Sequence, residues 1–240
     1  MALPRLSTPE FETVIPSSKE PIKFRPFLVK EEKVLYMALE GGEQKDIYNA
    51  TMSILDSCIL TPGVNYHDFT SYDLEYLFLK LRSKSVGEKI DLNIKHMNEE
   101  YLEKCKASNK VTIDIDSIGI EYNESHSDTI DLGGGGIGMK LKDPNASLFT
   151  KINEKDNEFD QMLSMVYNCV DFVYDENDVY NDFTKEEMDD FIGQLSKEQF
   201  EKITEFFNTL PALKHKIEFT CSECGETESI TIEGLQSFFT

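Results

Sequence analysis

The chain has 240 residues, 40% hydrophobic and 11% aromatic, which is enough apolar content for a packed core and excludes a disordered or fibrous protein. Against 24 Lys and Arg stand 45 Asp and Glu, a net charge of −21. Such a field repels phosphate backbones and anionic lipid headgroups, so sequence-independent binding to nucleic acid or to a membrane is not expected.

The acidic excess is uneven. Residues 151–240 hold 21 acidic and 7 basic side chains (−14), which leaves −7 for residues 1–150. An acidic C-terminal portion either meets a basic partner surface or keeps the protein soluble. No run approaches the roughly 20 apolar residues that span a bilayer. The opening MALPRLSTPEFE lacks the apolar stretch of a signal peptide, so synthesis and residence in a cytosol are expected. Five cysteines (Cys58, Cys105, Cys169, Cys221 and Cys224) are an odd count with only one close pair, which does not suggest a disulfide framework.

In chain order, Phe11 to Ile15 predicts a strand, residues 16–21 a turn, and Ile22 to Arg25 a returning strand ended by Pro26. Helices follow over about residues 30–40 and 44–59, separated by Gly41-Gly42. A third starts near Thr70-Ser71 and carries Leu74, Leu77, Phe78 and Leu81 on one face. From Glu88 to Lys142 the apolar period shortens to two: Ile90, Leu92 and Ile94; Val111, Ile113 and Ile115; then, after a phase slip at Ser117 of the kind a β-bulge produces, Ile118, Ile120 and Tyr122. With Ile130 and Leu132, and Ile137, Met139 and Leu141, these segments predict a central antiparallel sheet of about four strands. Helical spacing resumes in Phe159, Met162, Leu163, Val166, Val170 and Val173. Two capping boxes, Thr184-x-x-Glu187 and Ser196-x-x-Gln199, each open a short helix. The last thirty residues return to strand around Cys221-x-x-Cys224. The fold class is therefore α+β: an N-terminal hairpin and helices with a central antiparallel sheet (1–145), an acidic helical subdomain (146–210) and a C-terminal zinc-ribbon-like hairpin (211–240).

Three motifs invite chemistry. The cluster Gly133-Gly134-Gly135-Gly136-Ile137-Gly138 contains GxGxxG, but an alternating strand ending at Pro144 follows where a dinucleotide site needs a helix, so a hairpin tip or a partner-contacting loop at Gly134 and Gly135 is expected instead. The acidic run 171–190 puts Val179 and Tyr180 where a calcium loop starting at Asp175 needs an oxygen ligand and a glycine, so it reads as a solvated linker and helix start. Cys221-x-x-Cys224-Gly225 between two strands has the form of a zinc knuckle, its tight turn aiming both thiolates at one point. Zinc needs two further ligands, from His215, from Cys169 or Cys58, or from the same pair of a second subunit in a homo-oligomer. The other reading is a knuckle that folds without metal. A redox pair needs a helix N-terminus at the first cysteine, where the pattern is strand. The four histidines are scattered, no GxSxG or HExxH occurs, and no catalysis is expected.

The segments RPFLVKEEK (25–33), GEQKD (42–46), LRSKSVGE (81–88), HKIEFTCSECG (215–225) and IEGLQSFF (232–239) resemble the baseplate hub assembly family of T-even-like contractile-tailed bacteriophages. That resemblance implies a late viral protein that binds phage baseplate hub proteins, as a transient, chaperone-like assembly factor in the host bacterial cytoplasm or as a hub subunit retained in the virion baseplate. It implies no catalytic residues. Within the resembling segments, Arg25, Phe27, Lys30 and Glu31 near the first hairpin and Phe238 and Phe239 at the end are the expected partner contacts, with packing inside the protein as the alternative role.

Overall fold

The computed structural model describes residues 7–41, 44–145, 147–148 and 157–234. The chain is α+β and divides into two compact units. The first contains residues up to Tyr66, Tyr72–Glu121 and those from Ala212 onward; the second contains His67–Ser71 and Tyr122–Pro211.

In the first unit, β1 (Phe11–Val14) and β2 (Pro21–Phe24) form the expected hairpin, with Phe11 opposite Phe24. Its turn is fastened by Asp73, fully buried, which accepts hydrogen bonds from the Ser17 backbone N–H (2.9 Å) and the Ser17 hydroxyl. Helices α1 (Val29–Gly41) and α2 (Gln44–Cys58) pack against each other, and α3 (Ser71–Val86) buries Leu74, Leu77, Phe78 and Leu81 as its spacing predicts. The strands β3 (Lys89–Ile94) and β4 (Asn109–Asp114) pair antiparallel in unbroken register around a connection that holds the short helix α4 (Glu99–Lys104).

The phase slip at Ser117 is not a bulge. A 3-10 turn over Ile115–Ser117 ends β4, and the chain re-emerges as β5 (Gly119–Glu121) in a different sheet, beside β10 (Ala212–Thr220) and β11 (Thr227–Glu233). Asp116 fixes the turn, accepting hydrogen bonds from Ser83 (2.8 Å) and Lys84 (2.6 Å) on α3, so Ile115 and Ile118 can both point inward. These two sheets share a core of Ile90, Leu92, Ile113, Ile115, Leu213 and Ile217.

The second unit carries a four-stranded antiparallel sheet in sequential order: β6 (Thr129–Gly133), β7 (Ile137–Leu141), β8 (Val170–Tyr174) and β9 (Val179–Tyr180). Helix α5 (Glu158–Cys169) stops where the expected apolar stripe continues, because Val170–Tyr174 is rich in β-branched and aromatic residues and pairs with β7. Both capping boxes are present, opening α6 (Lys185–Gly193) and α7 (Lys197–Asn208). Gln199 serves twice: its oxygen accepts from the Ser196 backbone N–H (2.8 Å) and its Nε2 donates to the Leu132 carbonyl (2.7 Å), tying α7 to β6.

The expected single central sheet is thus three separate pairings, and the division of the chain differs from boundaries at 145 and 210. The C-terminal ribbon belongs with the first unit, and most of the second unit, Tyr122–Pro211, is an insertion in it. The chain leaves at Glu121 and returns at Ala212, which are cross-strand partners in the β5–β10 pairing. Among the described residues no helix is long and apolar enough to cross a membrane.

Candidate metal centre

The β10–β11 ribbon turns at Cys221-Ser-Glu-Cys224-Gly225. The Cys221 N–H donates to the Glu226 carbonyl (2.8 Å), the Gly225 N–H donates to the Cys221 carbonyl (3.0 Å), and Gly225 takes φ 78°, a conformation that costs a residue with a Cβ. This knuckle faces the β3–β4 connection. There Asn98 caps α4 by accepting the Glu100 N–H, and α4 delivers Cys105 as its C-cap residue, with the Cys105 N–H bonded to the Tyr101 carbonyl (2.8 Å). His96, just beyond β3, is 1% exposed and lies between the rings of Tyr101 (5.6 Å between centroids) and Phe219 (5.9 Å).

The ligand atoms of His96, Cys105, Cys221 and Cys224 all lie within 4.8 Å of one another. The Sγ atoms of Cys105 and Cys221 are 3.7 Å apart, and Cys224 Sγ is 3.4 Å from His96 Nε2. The other imidazole nitrogen, Nδ1, is 2.8 Å from a Glu228 carboxylate oxygen. The second Glu228 oxygen accepts the backbone N–H groups of Met97 and Asn98 (2.9 Å each), so the carboxylate that orients the ring is itself fixed.

The electrostatics favour the thiolate of Cys221, the form a metal takes, and the protonated ring of His96, whose Nε2 proton a metal would displace. Cys221 is held down to about 5, first by hydrogen bonds from the backbone N–H groups of Cys224 and Glu223, which outweigh burial, with Asn109 and His96 adding to them. His96 is pushed up to about 9, chiefly by Glu228 and then by Cys221. Asn109 accepts the Ser222 N–H (2.9 Å) through its side-chain oxygen, while its buried Nδ2 has no hydrogen-bond partner.

The structure therefore joins Cys221 and Cys224 to His96 and Cys105, which the sequence pattern did not single out. His215 lies on β10 opposite Ile232, six residues before Cys221, about 20 Å away along an extended strand, and cannot converge on the knuckle. Cys169 is buried in the core of the second unit. Cys58 ends α2, and burial pushes its thiol up to about 11. All five cysteines are free thiols. His96 and Cys105 are hidden in the sequence because Cys105 and Cys221 are 116 residues apart. The one local signal is a histidine and a cysteine bracketing a capped single-turn helix between two strands.

The other singled-out residues fall elsewhere. Arg25 is engaged with Glu31 at 2.9 Å, Phe27 and Glu31 are buried, and Lys30 is solvent-exposed. Gly134 and Gly135 sit exposed at the tip between β6 and β7, where Gly133 to Gly136 all take positive φ, which explains the glycine cluster as a turn. Asp175 uses its carboxylate within the β8–β9 turn, accepting from Asn177 and Asp178 N–H and from the Tyr180 hydroxyl. Phe238 and Phe239 lie outside the described residues.

No curated protein and no solved structure matches the chain. The family model of the T4 bacteriophage base plate protein matches residues 8–240. That match covers both units and the cysteine knuckle, and the chain belongs to the T4 bacteriophage base plate protein family.

Proposed function

We propose that the protein is a non-enzymatic, chaperone-like assembly factor that binds hub proteins of the baseplate while the phage tail is being built. The observation that carries this reading is the family match over residues 8–240, together with the resemblance of RPFLVKEEK and the CxxCG…EGLxxFF ending to hub assembly proteins.

The chemistry of the surface supports it. The second unit bears 21 acidic and 7 basic side chains, a strongly charged body suited to meeting a basic protein surface. Helix α1 exposes Val29, Tyr36 and Met37, apolar area available for contact.

Mass-spectrometric quantification of the chain in purified virions and in tail assembly intermediates tests the proposal. Enrichment in intermediates bound to a hub protein, with none in virions, is the expected result. A fixed copy number in virions overturns it in favour of a permanent hub subunit.

A further inference from the structure

We propose that His96, Cys105, Cys221 and Cys224 bind one structural zinc ion, which staples the β3–β4 connection to the far end of the C-terminal ribbon. The inference stands independently of the hub role.

The geometry argues first. Zinc bonded to sulfur at about 2.3 Å and to imidazole nitrogen at about 2.05 Å in a tetrahedron requires edges of about 3.8 Å between two sulfurs and about 3.6 Å between sulfur and nitrogen. The side chains give 3.7 Å for Cys105 to Cys221 and 3.4 Å for Cys224 to His96, with the remaining separations inside 4.8 Å. Two edges at tetrahedral lengths and four donors all within 4.8 Å of one another are what a shared ion would hold together.

The donor set then selects the metal. Three thiols and an imidazole disfavour the hard, oxygen-seeking Mg2+ and Ca2+ and suit zinc. Four protein ligands make a closed, structural site rather than a catalytic one with an open position. The surroundings complete it. Glu228 takes the Nδ1 proton of His96 as a hydrogen bond, which turns the Nε2 lone pair toward the thiols, and backbone N–H groups of the knuckle point at Cys221 Sγ.

Topology supplies the reason for a staple. The Tyr122–Pro211 segment is inserted between two parts of the first unit, and β5 pairs with the returning β10 through three residue pairs at the start of β10. Strand β10 runs nine residues, about 30 Å, from that point to the knuckle. An ion there closes the ribbon onto the β3–β4 segment at the opposite end, so the first unit is joined at both ends of the strand.

The test uses full-length, reduced protein purified without a metal-affinity tag, equilibrated with zinc and then dialysed. Elemental analysis should find one zinc per chain, released in step with thiol modification by p-hydroxymercuribenzoate. Exchange for Co2+ should give the intense visible bands and thiolate charge-transfer absorption of a tetrahedral site. Cys105→Ser and Cys221→Ser should lose the zinc, whereas Cys58→Ser and Cys169→Ser keep it. His96→Cys preserves four donors and should retain the metal, which keeps the test decisive if the serine variants fold poorly. Glu228→Gln should weaken zinc binding by about 10- to 100-fold. A wild-type chain that retains no zinc, a Co2+ spectrum of octahedral type, or one zinc per two chains shared across a dimer each overturns the proposal.

Discussion

At the scale of single residues, Glu31 shows how a surface-looking motif is consumed inside the protein. It is the third residue of α1, is 4% exposed, and receives hydrogen bonds from Arg25 and from the Leu28 backbone N–H, each 2.9 Å long. Burial alone would raise its pKa, but Arg25, the Leu28 N–H and Lys30 together hold the carboxyl below its ordinary range. Asp116 is likewise held low: burial is outweighed by Lys84, Ser83 and Lys80. A carboxylate whose folded pKa lies below its unfolded one contributes stability that is fully present above the unfolded value and disappears as the pH falls through the folded value. Glu31→Gln should therefore cost about 3 kcal/mol near neutral pH, because it leaves the Arg25 charge poorly paired, and should flatten the fall in stability between about pH 5 and pH 3. Urea unfolding of both chains across that range measures the two effects together, and an unchanged pH slope in the variant would show that Glu31 is not among the linked groups. The same residue explains a limit of sequence reading. Phe27 and Glu31 belong to a distinctive string, but whether such a string faces outward depends on α3, whose Ser85 hydroxyl takes the Phe27 N–H. Cys221 and Cys224 were legible because one turn holds both; His96 and Cys105 were not, because no local period links residues brought together by the closure of a chain around an inserted unit.

At the scale of elements, what is encoded locally was readable and what is encoded by pairing was not. The capping boxes at Thr184 and Ser196 are complete within four residues, and both helices start where those residues place them. The alternating segments of the middle of the chain were rightly strands, but alternation says nothing about partners, so β3–β4, β5 and β6–β7 look like one sheet until the 3-10 turn at Ile115–Ser117 and the insertion separate them. The stripe through Val170 and Val173 fits both helix and strand, and pairing with β7 decides it. Gly138 carries a consequence of that pairing. It sits opposite Tyr174 with the phenol lying over it, and a Cβ there would collide with the Tyr174 ring and approach the Ile130 carbonyl oxygen to 2.7 Å. The tyrosine can swing away, but the backbone carbonyl belongs to the β6–β7 ladder and cannot. Gly138→Ala should accordingly destabilise the second unit by about 1–3 kcal/mol, and Tyr174→Ala should not rescue it. Recovery of wild-type stability in the double variant, measured by thermal unfolding, would place the conflict on the tyrosine alone.

At the scale of the whole molecule, the two units are stabilised by different physics and should respond to different reagents. The second unit concentrates a net charge of −14 in its residues, while the first carries −7 over a longer stretch of chain together with the His/Cys cluster. Like-charge repulsion destabilises a compact state and is screened by salt, with a Debye length of about 10 Å at 0.1 M and about 3 Å at 1 M. A metal that binds the folded state adds its binding free energy to folding and is removed by chelators. The Tyr122–Pro211 segment of the second unit leaves and returns at the Glu121–Ala212 rung, so it is expected to unfold without parting the strands of the first. Calorimetry of the zinc-loaded chain should thus resolve two transitions. Raising NaCl from 0.05 to about 0.5 M should lift the one belonging to the second unit by several degrees more than the other. A chelator should lower only the first unit's transition, by about 10 °C or more. The Gly138→Ala variant assigns them, since it moves only the transition of the unit it belongs to. A single transition that shifts as one under salt, chelator and mutation alike would mean that the insertion and its host fold as one cooperative body, and that the rung at Glu121 and Ala212 transmits unfolding rather than isolating it.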